Sequence, residues 1–87
     1  MREENKRMQE FLQSHGIKAR AKYLDKGSMK HTWRLYNMDK RWTPTLQDKL
    51  TSLGFTDFDG RSLNEYSGNG GLFSVFVRGH YELLKEA

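Results

Sequence analysis

The sequence predicts an α+β fold, a single domain over residues 1–87 whose elements run α-β-β-α-β-β, with an antiparallel sheet carrying both helices on one face. Three observations carry that expectation. Apolar residues recur at helical spacing in two segments, Met8, Phe11 and Leu12 in one and Leu46, Leu50 and Leu53 in the other. Runs with strand character flank clusters of turn formers at Asp25-Lys26-Gly27-Ser28 and Ser67-Gly68-Asn69-Gly70-Gly71. Both helical segments end in the pattern Leu-x-Ser-x-Gly-apolar, Leu12 to Ile17 and Leu50 to Phe55, so each closes a helix and opens a hairpin. That echo raises an αββ pseudo-repeat, 1–42 and 43–87. Any helix ended by glycine and followed by a buried residue shares part of it, and the element order stands without it.

The first helix is expected over residues 2–14, with Glu3 and Glu4 in the first turn, where the helix dipole favours acids, and Gly16 as its stop. Residues 17–24 and 29–36 read as a hairpin, the second strand gaining its apolar and aromatic content from Trp33, Leu35 and Tyr36. The second helix spans Thr43 to Gly54, with Thr43 as N-cap, Pro44 at the first helical position and Gly54 as terminator. Arg61 to Tyr66 and Leu72 to Tyr81 are the remaining strand candidates, and Glu82 to Ala87 makes a short helical turn.

The charge is concentrated. Residues 18–41 hold eight bases (Lys18, Arg20, Lys22, Lys26, Lys30, Arg34, Lys40, Arg41) against Asp25 and Asp39, a net +6, whereas residues 1–17 balance and residues 42–87 carry four bases against six acids. In Lys18-Ala19-Arg20-Ala21-Lys22 the bases alternate, and a strand sends all three to one face. With no cysteine, disulfides, thiolate catalysis and zinc-ribbon chemistry are excluded, which fits a reducing cytoplasm. No apolar run approaches the roughly 20 residues that span a bilayer, so no membrane role is expected.

Two registers are open for the first hairpin. If Ala19, Ala21 and Tyr23 face the helices with Trp33 and Leu35, the open face shows Lys18, Arg20, Lys22, Thr32, Arg34 and Tyr36; this needs an odd loop or a bulge near Gly27. The other register sets Trp33 beside Arg20 on the open face. On the last strand Phe73, Val75 and Val77 are the buried set, leaving Ser74, Phe76, Arg78 and His80 outward, with Tyr66 nearby. Either way cations mix with rings, an inventory that neutralises phosphates and stacks on unpaired bases. The competing reading is a solvated face whose lysines keep the protein soluble and block edge pairing.

Residues 8–55 resemble the HicA-type mRNA interferase toxins, small proteins with a fold similar to double-stranded-RNA-binding domains. The likeness lies in a helix, Gly16-Ile17, a basic strand, Lys26-Gly27-Ser28 with His31 and Trp33, and Thr45-Leu46 opening a helix that ends Leu53-Gly54-Phe55. The resemblance implies RNA contact. It does not carry catalysis across, because the family's Gly-Ser-His is here Gly27-Ser28-Met29, with the histidine displaced to His31, and the final hairpin has no counterpart in the family's outline.

Among the three histidines, His15 at a helix end suits capping, and His31 with His80, Arg34 and Arg78 is the inventory a metal-independent ribonuclease would need, although no spacing brings them together. Asp57, Asp59, Gly60 and Glu65 fail the calcium-loop pattern: with Gly60 at position 6, Phe55 falls at position 1 and Tyr66 at position 12. The glycine cluster lacks the lysine and helix of a phosphate loop. No catalytic residue, metal or cofactor is expected.

The leading expectation is a non-enzymatic nucleic-acid-binding protein, RNA or single strands favoured, contacting its ligand through Lys18, Arg20, Lys22, Lys30, His31, Trp33, Arg34, Tyr36 and Arg78. The alternative is a phage-type inhibitor presenting the same cations to an acidic protein surface of a host enzyme or defence complex. Either would act as a monomer or a homodimer.

Overall fold

The computed structural model describes residues 2–68 and 72–84, and of residues 37–40, 72 and 73 the backbone alone. Helix α1 (Glu3–Ser14) buries Asn5, Met8 and Leu12 along one stripe. Helix α2 (Pro44–Ser52) starts as its sequence demands: the Thr43 hydroxyl accepts from the Leu46 N–H at 3.1 Å, and Pro44 occupies the first turn. Both helices stop by the same device. Gly16 N–H donates to Gln13 and Ile17 N–H to Leu12, each at 2.9 Å, while Gly54 N–H donates to Thr51 at 3.0 Å and Phe55 N–H to Leu50 at 3.2 Å. This is the Schellman closure, and it requires the left-handed backbone that Gly16 (φ 78°) and Gly54 (φ 93°) supply. Leu12, Ile17, Leu50 and Phe55 are all buried, so each closure also pins an apolar pair into the core. Gly54→Ala should cost about 1–2 kcal/mol through the left-handed penalty, read as a lower urea midpoint with an unchanged slope.

The sheet runs in the order β1 (Arg20–Leu24), β2 (Thr32–Arg41), β4 (Leu72–Arg78), β3 (Thr56–Asp57), every pair antiparallel. The α+β architecture is thus as the sequence implies. Both helices share one face, because Met8, Leu12 and Leu50 pack in one cluster with Ala21, Tyr23, Trp33, Leu35, Val75 and Val77. The edge strand β1 is partly closed by α1: Asn5, itself buried, accepts the Tyr23 N–H at 2.8 Å. That blunts the side of β1 open to edge pairing.

The third strand differs from expectation. Arg61 to Tyr66 form no strand, and β3 is the two-residue Thr56–Asp57. Side chains capture the backbone donors that a ladder would use: Asp57 Oδ1 accepts from the N–H groups of Asp59 and Arg61, each at 2.8 Å, Asn64 Oδ1 from Tyr66 N–H at 2.8 Å, and Ser67 Oγ from Asn64 N–H at 2.9 Å. The segment from 58 to 68 is held instead by burial of Leu63, by Gln47 Nε2 donating to the Leu63 carbonyl at 3.4 Å, and by Trp42 Nε1 donating to the Asn64 carbonyl at 3.3 Å. Gly68 lies so close to the Trp42 ring that a Cβ there would collide with it.

The last strand ends at Arg78, short of the expected Tyr81, and a 3-10 turn covers Tyr81–Leu84. Arg7 Nε ties that turn to α1 by donating to the Leu83 carbonyl at 2.6 Å. Asn69 to Gly71 of the expected glycine turn and residues 85–87 of the expected tail lie outside the described residues. Among the described residues no helix is long and apolar enough to cross a membrane.

Candidate nucleic-acid interface

Pairing register decides which side chains reach the face opposite the two helices. Leu24 pairs with Thr32 across residues 25–31, an odd number, and this places Tyr23 opposite Trp33 and Ala21 opposite Leu35 on the core side. The intervening loop bends through left-handed backbone at Gly27 (φ 79°) and His31 (φ 65°). On the other side Arg20 lies opposite Tyr36 and Lys22 opposite Arg34, and across β4 Tyr36 meets Ser74 and Arg34 meets Phe76. Two transverse rows follow, Arg20-Tyr36-Ser74 and Lys22-Arg34-Phe76, with neighbours about 4.8 Å apart along each.

Arg20, Lys22 and Arg34 are exposed, and Tyr36 and Phe76 are half-buried. The Arg34 guanidinium carbon stands 4.8 Å from the centroid of the Tyr36 ring, within cation–π range. That contact orients both side chains without covering the charge. The described rows hold no acidic side chain, so their potential is positive.

The other expected site residues are placed differently. Trp33 is fully buried: its ring packs edge-on to Tyr23 with centroids 5.0 Å apart, and Nε1 donates to the Gly79 carbonyl at 2.9 Å. It cannot stack on a base, because the odd loop turns it to the helices. Lys18 precedes β1, exposed between buried Ile17 and half-buried Ala19, and lines a cavity of about 310 Å³ with Gly16, Ile17, Arg41, Thr43, Thr45, Leu46 and Lys49. Thr32, expected in the open, is fully buried.

Lys30 and His31 sit exposed in the loop between β1 and β2. Nδ1 of His31 lies 3.0 Å from the hydroxyl of Tyr23, and its carbonyl accepts from Tyr81 at 2.9 Å, so two tyrosines hold this left-handed residue. Burial, then the nearby Tyr81 and Asp25, push the Tyr23 phenol above its ordinary pKa. Arg78 pairs with Thr56 and so belongs to the outer face; its Nε is buried and has no hydrogen-bond partner among the described residues.

His80, expected outward, is packed against the core. Its ring centroid lies 4.7 Å from that of Phe11 and 4.5 Å from that of Phe55, with Nε2 at 2.6 Å from the Leu53 carbonyl and Nδ1 at 3.2 Å from the Glu82 carboxylate. Its second nitrogen and its ring faces are already engaged in holding the chain. The ribonuclease grouping of His31 and His80 with Arg34 and Arg78 is therefore not assembled on the outer face. His15 caps α1 with its ring against Phe11 at 4.9 Å. Among the described residues no three of His, Asp and Glu converge to hold a metal ion.

A feature the sequence did not single out as a site lies beside the cations. Asp57, Phe58, Asn64, Tyr66, Ser67 and Phe76 line an open cleft of about 180 Å³, with Phe58 46% and Tyr66 84% exposed. The legible signal was Phe76, an aromatic at an outward position of an alternating strand. The approach of Phe58 and Tyr66 depends on how the segment from 58 to 68 folds, which periodicity does not encode. Comparison of the chain with family models, with curated proteins and with solved structures returned no match.

Proposed function

We propose that this protein is a non-enzymatic binder of RNA or other single-stranded nucleic acid. Arg20, Lys22 and Arg34 neutralise phosphates, and Tyr36 offers a ring at the centre of the cationic surface. The observation that carries the reading is the shared register of three exposed bases and a tyrosine on the face opposite the two helices. Cations so placed displace condensed counterions, and an adjacent ring can stack on a base whatever its identity. The resemblance of residues 8–55 to HicA-type toxins favours RNA as the strand. Lys30 and Arg78 flank the rows and extend the contact, whereas Trp33 has no part in it.

A mobility-shift series with single strands, duplexes and hairpins at two salt concentrations tests this. Single-strand binding should weaken steeply with salt, and Arg20→Ala combined with Lys22→Ala should flatten that dependence. An unchanged slope removes the hairpin from the interface. The same exposed cations support a second reading, an inhibitor that docks on an acidic protein surface. Binding to a defined acidic partner that survives nuclease treatment, with no shift of any nucleic acid, would favour it.

A further inference from the structure

We propose that the cleft formed by Phe58, Tyr66 and Phe76 receives one unpaired base of a strand whose phosphates lie on Arg34 and Lys22, so that the sheet distinguishes single strands from duplexes. This rests on the nucleic-acid reading above and assigns the selectivity of that site.

Four observations converge on it. Phe76 is the direct cross-strand neighbour of Arg34, and Arg34 of Lys22, so the cleft opens at the end of a cationic row about one strand spacing from its nearest base. Its volume of about 180 Å³ is below the range of pockets for larger ligands and close to the roughly 150 Å³ cavity that accommodates a single benzene ring. Tyr66 at 84% and Phe58 at 46% exposure leave large apolar surface in water, a state that stacking would relieve. On the outer face of the same strand, two residues beyond Phe76, the half-buried Arg78 adds a further positive charge.

A paired base cannot enter such a cleft without leaving its stack, whereas an unpaired base presents its ring freely. Every base has a π-face, so the cleft should select strandedness more than sequence. Asn64, Ser67 and Asp57 at the rim add polar groups that can meet a base edge.

The test compares affinities for a short single-stranded RNA and for the duplex of the same sequence, using wild type, Tyr66→Ala, Tyr66→Phe and Lys22→Ala. Tyr66 is exposed enough that its truncation leaves the core intact, and circular dichroism checks this. Tyr66→Ala should weaken single-strand binding about 5- to 100-fold and leave duplex binding unchanged, Tyr66→Phe should restore it, and Lys22→Ala should weaken both. With a 2-aminopurine-labelled strand, wild type should quench the base and Tyr66→Ala should not. If wild type binds single strands and Tyr66→Ala matches it, or loses equally on both ligands, the cleft assignment is wrong while the cationic surface stands; the same result is expected if the cleft serves a protein partner. If wild type binds neither ligand, the nucleic-acid reading and this inference fall together.

Discussion

Replacing Trp33 with alanine is expected to leave the protein largely unfolded at 25 °C. The ring is wholly buried at the centre of the sheet, against Tyr23 on one side and opposite Val77 on the other. Large-to-small replacement of a core aromatic costs about 3–5 kcal/mol, and the Gly79 carbonyl would lose its 2.9 Å donor, worth about 1 kcal/mol more. Domains commonly have about 5–15 kcal/mol of stability, and a chain this short sits towards the lower end, since it buries only about 60% of its unfolded surface. Near-UV circular dichroism and a urea titration measure the loss. Trp33→Phe should cost less, because it keeps most of the buried area and forfeits mainly the hydrogen bond. A Trp33→Ala protein within about 1 kcal/mol of wild type would mean that the ring faces solvent and that the opposite register holds.

Removing Arg20, Lys22 and Arg34 together should weaken single-strand binding about 100-fold at 0.1 M salt. Each phosphate contact contributes about 0.7 to the slope of log affinity against log salt for single strands, so three lost contacts lower the slope by about 2. At 0.1 M salt that difference is about two decades of affinity. The three side chains are exposed, and Arg34 gives up its contact with the Tyr36 ring, so the variant should keep the wild-type stability within about 1 kcal/mol. Affinities measured across a salt series distinguish this from a loss of fold. A triple variant with the wild-type slope would place the phosphates elsewhere, for instance on the Lys18, Arg41 and Lys49 cavity.

Much of this architecture is legible in the residues because local chemistry and tertiary packing agree. Thr43-Pro44 begins a helix and Gly16 and Gly54 end helices for reasons confined to a few residues, and the structure uses each as expected. The face of Trp33 was not legible in that way. It depends on whether the β1 to β2 loop holds an odd or even number of residues between paired ends, and a shift of one inverts every side chain. Arg20 and Lys22 share a face in either case, being two apart on one strand, so a basic face survives both registers, but Arg34 joins them only in the register that turns Trp33 inward.

The third strand was misplaced for a physical reason. Asp57, Asn64 and Ser67 hold backbone N–H groups that a ladder would need, and those local bonds outweigh the weak strand character of Arg61 to Tyr66. The same turns set Tyr66 and Phe58 beside Phe76, so the cleft and the missing strand have one cause. His80 was misassigned because strand alternation was carried past Arg78; the chain instead turns at Gly79 and His80 (φ 55°), sending the ring between Phe11 and Phe55.

The most direct test of a nucleic-acid-binding outer face is amide chemical-shift mapping during titration with a short single-stranded RNA. The shifts should concentrate on Arg20, Lys22, Arg34, Tyr36 and Phe76 and spare the exposed positions of α1 and α2. Shifts confined to the helices, or none at concentrations where a cationic surface should be occupied, would contradict the account.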